Sequence, residues 1–339
     1  MSNDYVYDIE TYPNVFTLAL EHAEAPLRWS FEISDQRNDS KEIIEFLRYL
    51  ADTNARMVGY NNLGFDYPVL HTLIRMGKSD ARTLYDKAMA IIAAQDTDKW
   101  VHNVNPSDRF VEQIDLFKIH HFDNKARATS LKVLEFNMRS DSIEDLPFKV
   151  GTNLGAAEIE VLKKYNRHDV AQTKAFYYKT LDMIKFREEL TVKYQRDFMN
   201  HNDTKIGKDY FAMRLEEAGV TLYDFGPKGR TPRQTKRPTI ALKDAILPWI
   251  TFEQPEFTRV LNWLKGQTIT ETKGVFEDVT ASVNGFDFVF GLGGIHGSVE
   301  SMVVESDDTH VIVDLDVSSY YPNLAIANGF FPNHLGKEF

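Results

Sequence analysis

The chain has 339 residues, with 39 Lys and Arg against 50 Asp and Glu and a formal net charge of −11. This excludes a surface that is basic throughout, so nucleic-acid binding would need a local basic patch or bound metal ions. The absence of cysteine excludes disulfide scaffolds and thiolate sites and fits a reducing cytoplasm.

The first 200 residues alternate strands and helices. Alternating apolar residues bounded by turn residues predict strands at 5–10, 15–20, 26–33, 56–60 and 111–117. Apolar residues at helical spacing predict helices at 42–50, 66–76, 130–136 and 156–181. Strands interleaved with helices indicate an α/β layer fold.

From about residue 200 the pattern changes. The stretch 226–238 is rich in proline and basic residues and is predicted to be a loop. A helix is expected at 253–265, followed by strands at 286–290 and 310–317 with a glycine turn at 291–294 between them. We therefore expect two parts, residues 1–200 and 201–339.

No membrane or export segment is expected. The longest apolar run, 88–94, is too short to span a bilayer, and the N-terminus lacks the basic and apolar regions of a signal peptide. The sequence thus predicts a cytoplasmic protein, in the host cytoplasm if the protein is viral.

Acidic residues recur at the ends of predicted strands. Asp8 and Glu10 are two apart on a strand and share one face, where adjacent carboxylates repel unless a cation lies between them. Asp66 begins a helix after an Asn- and Gly-rich turn. Each pattern also has an ordinary explanation, a solvated strand face for the pair and a helix cap for Asp66.

A third segment lies in the long predicted helix. Tyr165 and Asp169 are four residues apart and share one face of the helix. His168 points to a different face and is expected at the surface or in packing. Each of the three patterns is common by itself. Their order along the chain, and their positions on a strand, a strand-to-helix turn and a helix, make the combination informative.

Together the segments resemble the three motifs of the DEDD superfamily of 3′–5′ exonucleases, specifically the proofreading domain of family B DNA polymerases. The residues that carry the resemblance are Asp8, Glu10, Asn62, Asp66, Tyr165 and Asp169. Lys164 stands where the sister subclass has histidine, so the resemblance is to the Tyr subclass. It implies a ribonuclease H-like fold, a mixed sheet flanked by helices.

The resemblance also implies a site for two Mg²⁺ or Mn²⁺ ions. Asp8 would bridge both ions, Glu10 and Asp169 would complete the first site, and Asp66 would hold the second ion through water. Oxygen ligands suit both metals. Tyr165 would orient the attacking water, because a phenol with a pKa of about 10 is a poor base at neutral pH.

Contacts with DNA follow from the same resemblance. Thr11, Asn62 and Phe65 would contact the 3′ end of single-stranded DNA, and Ser130 and Leu131 match a further single-strand motif of phage members. Phe65 can stack on any base, although the sequence is equally consistent with a position in the core.

The last part resembles the start of a family B palm. Residues 316–322 are similar to motif A, which implies that Asp316 is a metal ligand for nucleotidyl transfer and that Tyr321 packs under the incoming nucleotide. Gly293 and Gly294 resemble a template-binding motif that phage-type members carry between their two domains. The basic stretch at 228–237 is a candidate contact for a DNA backbone and is equally consistent with a solvated loop.

The sequence holds no second palm aspartate, fingers lysine or thumb. We therefore expect the N-terminal portion of a phage-type family B DNA polymerase, an active exonuclease with an incomplete palm and an exposed apolar face. Its substrates would be single-stranded 3′ ends and primer-template DNA. Polymerisation would require the missing residues or a second chain. The alternatives are a free-standing exoribonuclease similar to ribonuclease D and a non-catalytic DNA-binding subunit of a replisome.

Overall fold

The computed structural model describes residues 3–98, 100–121, 129–227, 229–233, 237–271, 275–276, 279–291, 294–299 and 301–331. The chain divides into two compact units, Met1–Pro232 and Arg233–Phe339. The division expected from the sequence lay earlier, after residue 200. In the structure, the helix and hairpin that follow that residue belong to the first unit.

A five-stranded mixed sheet forms the centre of the first unit. Its strands are β1 (Asp4–Tyr12), β2 (Val15–His22), β3 (Arg28–Ser34), β4 (Arg56–Gly59) and β5 (Glu112–Asp115). They lie in the order β3-β2-β1-β4-β5. β1, β2 and β3 are antiparallel neighbours, whereas β1, β4 and β5 are parallel. The carboxyl ends of β1, β4 and β5 therefore meet at one edge of the sheet.

In the described part of the first unit, seven α-helices flank or follow the sheet. They are α1 (Ser40–Asp52), α2 (Asp66–Met76), α3 (Ala81–Ala94), α4 (Leu116–His120), α5 (Leu131–Met138), α6 (Ala156–Tyr194) and α7 (Asp203–Glu217). A 3₁₀ turn occupies Pro106–Asp108. The sequence analysis found α1, α2, α5 and most of α6, and it missed α3, α4 and α7; the strand predicted at 111–117 ends at Asp115, and α4 begins at Leu116. The first unit is thus a mixed α/β fold.

Alternation along β1 directs its side chains to two cores. Tyr5, Tyr7 and Ile9 pack with apolar residues of α1, α2 and α3. Val6 points the other way and packs with residues of α4 and α6. Because side chains alternate with period two, Asp8 lies on the face of Val6, which is covered by α6.

The stretch 226–238, which is rich in proline and basic residues, forms part of a β-hairpin. This corrects the prediction of a loop. The strands of the hairpin are β6 (Tyr223–Gly226) and β7 (Gly229–Pro232). Gly229, with φ of +91°, supplies the left-handed conformation that the tight turn requires. Arg230 stacks on the ring of Tyr223 at 3.7 Å from its centroid.

The second unit is small. It contains the pair β8 (Ile240–Ala241) and β9 (Thr268–Ile269), with α8 (Leu242–Ala245) and α9 (Pro255–Lys265). A three-stranded antiparallel sheet follows, formed by β10 (Thr280–Val283), β11 (Phe286–Gly291) and β12 (Gly294–Ser298). Val260, Ala281 and Phe290 form its core. The last helix among the described residues is α10 (Tyr320–Asn328).

The strand predicted at 310–317 is absent, and this prediction is wrong. The segment has no regular structure, and its apolar residues are exposed, with Val311 at 79% and Leu315 at 87%. A strand requires a neighbour for its backbone hydrogen bonds, and no described strand pairs with this segment. The apolar side chains of this segment are therefore exposed, but without a strand they do not form the apolar face that was expected.

None of the helices in the described part of the chain is both long enough and apolar enough to cross a membrane.

Candidate functional site

Three predicted carboxylates converge where β1 faces α6. Asp8 and Glu10 project from one face of β1, and Asp169 projects from α6. One carboxylate oxygen from each lies within 4.8 Å of the other two. This spacing and these oxygen donors can hold a divalent cation.

Asp66 joins the cluster from the adjacent strand connection. It is the first residue of α2, which begins after β4 at the carboxyl edge of the sheet, and it is 6% exposed. Its Oδ1 accepts a hydrogen bond from the backbone N–H of Ile9 at 3.3 Å. Asp66 therefore lies beside the stretch of β1 that carries Asp8 and Glu10.

Tyr165 lies one helical turn before Asp169. It is 7% exposed, and its hydroxyl lies close enough to the Asp169 carboxylate to lower the pKa of that group. Burial and the nearby carboxylates raise the pKa of Tyr165 above its ordinary value. The hydroxyl is thus protonated at neutral pH and can donate within the cluster.

The carboxylates raise one another's pKa. Burial is the largest cause at Asp8, followed by the charges of Asp66, Asp169 and Glu10. Burial and the charge of Asp169 likewise raise the pKa of Glu10. The pKa of Asp66 rises to about 7 and that of Asp169 to about 6, in both cases mainly through burial. A bound cation would relieve this repulsion, as expected of a metal site.

A buried relay that the sequence analysis missed holds Asp8. The side-chain amide of Asn166 donates to Asp8 Oδ2 at 2.7 Å, and the Thr17 hydroxyl donates to Asn166 Oδ1 at 3.1 Å. Both relay residues are at most 1% exposed. Asn166 is adjacent to Tyr165 in the sequence, but only the packing of α6 on β1 and β2 shows its partner.

A second group of possible ligands shares Asp169. Glu135 of α5 and His168 of α6 place donor atoms within 4.8 Å of Asp169 and of each other. His168 Nε2 lies 3.2 Å from Glu135 Oε2, and Glu135 is 1% exposed. His168, expected at the surface or in packing, therefore lies beside the carboxylate cluster.

Asn62, which was predicted to contact DNA, is buried in the structure. It is 0% exposed, and its amide donates to Gln113 Oε1 at 3.0 Å. Gln113 also accepts from the Tyr7 hydroxyl at 2.9 Å. Gly59 permits this arrangement, since a Cβ there would lie 2.6 Å from Asn62 Cβ. In this structure Asn62 stabilises the turn before Asp66, and its side chain is not accessible to a DNA strand.

Asp115, at the end of β5, fixes the same turn. Its buried carboxylate accepts hydrogen bonds from the backbone N–H groups of Asn61 and Leu63 and caps α4 through those of Phe117 and Lys118. The residues between β4 and Asp66 are thus held by the neighbouring strand. The sequence analysis included Asp115 in a strand but gave it no role.

The other predicted DNA contacts are partly exposed. Thr11 is half-buried on β1, and Phe65 is half-buried and packs against the core. Ser130 is the N-cap of α5, and its hydroxyl accepts from the backbone N–H of Val133 at 3.3 Å. Leu131, the first residue of that helix, is half-buried.

The predicted polymerase residues lie in the second unit. Asp316 is exposed in the irregular segment before α10, and Tyr321 is 69% exposed on that helix. Gly294 begins β12, whereas Gly293 lies outside the described residues.

Comparisons of the chain with protein-family models, with curated proteins and with solved structures gave no match.

Proposed function

We propose that the first unit is a metal-dependent 3′–5′ exonuclease with a ribonuclease H-like, DEDD-type site. We propose further that the chain is the N-terminal portion of a phage-type family B DNA polymerase. The observation that carries the exonuclease proposal is the convergence of Asp8, Glu10 and Asp169, with Asp66 and Tyr165 beside them. The mixed sheet flanked by helices is compatible with the proposed fold.

The proposed cofactors are two divalent cations, Mg²⁺ or Mn²⁺, for which carboxylate oxygens are suitable ligands. Such a pair supplies an activated water and stabilises the leaving oxygen of a phosphodiester. Asp8, Glu10 and Asp169 have the spacing to hold one ion. Asp66 would hold the second together with Asp8, since Asp66 Oδ1 accepts from the backbone N–H of Ile9, the residue that follows Asp8.

Tyr165 would orient the attacking water. Its raised pKa keeps the hydroxyl protonated, so it can direct a hydrogen bond but not remove a proton at neutral pH. Substrate at this site would be the 3′ end of a single strand, which Thr11, Phe65, Ser130 and Leu131 would contact from half-buried or exposed positions.

The polymerase part of the proposal rests on the resemblance of residues 316–322 to motif A. The exposed apolar run at 311–317 supports it, because a palm strand would be covered by neighbouring strands. Those strands would come from further residues or from a second chain. Asp316 and Tyr321 would then act in nucleotidyl transfer.

The test is degradation of 5′-labelled single-stranded DNA with Mg²⁺ or Mn²⁺. We expect stepwise shortening from the 3′ end and release of nucleoside 5′-monophosphates. Asp8→Ala and Asp169→Ala should each lose most of the rate, whereas Asp182→Asn, an exposed carboxylate on the same helix, should keep it. Full activity of either alanine variant, or activity in EDTA, would refute the site.

Two further comparisons address the alternatives. An RNA oligonucleotide of the same sequence separates a DNA exonuclease from an exoribonuclease, because the favoured substrate is degraded faster. DNA binding with no cleavage of either polymer would favour the non-catalytic subunit.

Tyr165→Phe should bind metal normally and lose about 10²–10³ in rate, the usual cost of one positioned group.

A further inference from the structure

A small cavity lies apart from the carboxylate cluster but within the same unit. Its volume is about 200 Å³, and the residues that matter for its chemistry are Leu63, Trp100, Arg109, Lys118, Asn200 and His201. This volume accommodates a phosphate group together with the adjoining part of its nucleotide.

The cavity is basic in a protein that is acidic overall. Arg109 and Lys118 supply two positive charges, while burial lowers the pKa of His201 and favours its neutral form. Asp197 is the only carboxylate among the described lining residues. A lining with two basic side chains and one carboxylate can accept an anionic ligand.

Arg109 offers unused hydrogen-bonding capacity. Its buried Nε atom has no hydrogen-bond partner among the described residues. A buried donor without a partner is costly, and a guanidinium matches the geometry of phosphate oxygens. The charge and the unused donor together point to a phosphate.

An aromatic face adjoins the two cations. The Trp100 side chain is 48% exposed, and Lys118 Nζ lies 5.1 Å from the centroid of its ring. An exposed indole beside positive groups is the arrangement that binds nucleotides without regard to sequence, by base stacking and phosphate contacts.

The position of the cavity relates it to the carboxylate cluster. Lys118 belongs to α4, which begins directly after β5, and Leu63 lies in the turn that leads to Asp66. Asp115 connects the turn with α4, since its carboxylate accepts a hydrogen bond from the backbone N–H of Leu63 and also caps α4. Cavity and cluster therefore share the carboxyl edge of β1, β4 and β5, the usual ligand edge of parallel strands.

We propose that this cavity is a nucleotide subsite that binds one phosphate and stacks one base of the single strand entering the carboxylate cluster. Arg109 and Lys118 bind the phosphate, and Trp100 stacks the base. The inference rests on the proposed nuclease function. The same chemistry would fit a released nucleoside 5′-monophosphate, so the experiment has an arm for each.

Binding is measured by fluorescence anisotropy of labelled oligodeoxythymidylate on the full chain carrying Asp8→Ala. Arg109→Gln with Lys118→Gln should weaken binding and reduce the slope of log affinity against log salt by about 0.7 for each lost phosphate contact. Trp100→Ala should weaken binding on the order of tenfold with the slope unchanged. The matched control is Arg48→Gln with Lys179→Gln, two exposed residues on α1 and α6, which should leave the slope unchanged.

The subsite would be refuted if the Arg109→Gln, Lys118→Gln double variant had the same oligonucleotide affinity and the same salt slope as the control. Changed competition by a nucleoside 5′-monophosphate with unchanged oligonucleotide affinity would also refute it, because the site would then hold the product. If the double variant has a lower melting temperature than the unmodified chain, the same binding measurement is made on Lys118→Gln alone, because this residue lies on the surface of a helix. Failure of the nuclease proposal has a different signature, namely no cleavage by the unmodified chain.

Discussion

At the scale of single residues, the relay from Thr17 through Asn166 to Asp8 makes a prediction about metal use. Asn166→Ala removes a hydrogen bond that favours ionised Asp8. Loss of such a supporting partner typically costs 10–100-fold in metal affinity or activity. We expect Asn166→Ala to need about tenfold more Mg²⁺ for half-maximal nuclease rate.

Thr17→Val provides the companion measurement. It leaves Asn166 in place and removes only the hydroxyl that orients it, so its effect should have the same direction and be smaller. An unchanged Mg²⁺ dependence in Asn166→Ala, at equal melting temperature, would show that the relay serves stability alone.

The carboxylates also predict how metal binding depends on pH. In the folded protein the pKa of Asp66 rises from 3.8 to about 7 and that of Asp169 to about 6. Between about pH 4 and pH 7 the folded state therefore holds more protons than the unfolded state, and the metal-free protein loses stability as pH rises through this window. Metal binding releases these protons and strengthens with pH.

The measurement is the increase in melting temperature that Mn²⁺ produces, recorded from about pH 5 to about pH 8. We expect the increase to grow with pH and to level off above the raised pKa values. Asp182→Asn should behave like the unmodified chain, and Asp169→Ala should lose most of the effect. A Mn²⁺ effect that is constant across this range would contradict the site.

The sequence located the carboxylates because strand and helix periodicity places Asp8 with Glu10, and Tyr165 with Asp169, before any tertiary structure is known. It could not locate Asn166 or Thr17, whose roles depend on how α6 packs against β2. Asn62 shows the opposite limit. Its position in the motif implied a contact with DNA, and nothing in the sequence indicated that Gln113 on the adjacent strand would accept a hydrogen bond from its amide in the interior.

At the scale of elements, Arg187 joins the end of α6 to the start of α7. Its Nε donates to the carbonyl of His201, Nη1 to the carbonyl of Met183 and Nη2 to Asp203, each at 2.8 Å. The residue is 0% exposed. Arg187→Ala should lower the free energy of unfolding by about 3 kcal/mol, since it leaves buried acceptors without partners and a cavity.

Urea denaturation checks this value, with Lys179→Ala on an exposed face of α6 as the control. The control should change stability by no more than about 0.5 kcal/mol. Arg187→Lys should fall between the two, because it keeps the charge and loses the planar fork of donors. Equal stability of Arg187→Ala and the control would show that α7 does not depend on this contact.

Elements with strong local patterns were predicted well, and those that depend on partners were not. β1, β2 and β3 were predicted to within about two residues at each end, and α6 was predicted but extends beyond its expected end, to Tyr194. The run 310–317 has the composition of a strand but no described neighbour to pair with it. The hairpin of β6 and β7 was missed because its residues are almost all exposed and lack an apolar face.

At the scale of the whole molecule, the two proposed activities fall in different units. The carboxylates of the exonuclease site all lie within Met1–Pro232, and Asp316 lies within Arg233–Phe339. Among the described residues, the groups of side chains with the spacing to hold a metal are the two that share Asp169. Asp316 is exposed and belongs to neither.

Because Asp316 belongs to neither group, we predict that the purified chain will not extend a primer. Two-metal nucleotidyl transfer needs at least two carboxylates to place the ions, and positive side chains must also surround the triphosphate. Extension of a labelled primer with all four deoxynucleotides should be absent even in Asp8→Ala, which cannot degrade the product. Binding of the same primer-template, measured by anisotropy, shows that the substrate is engaged. If a complementing chain restores extension, Asp316→Ala should abolish it, because the restored site would use that carboxylate. Extension by the isolated chain would contradict this account, since it would require a second polymerase carboxylate beside Asp316.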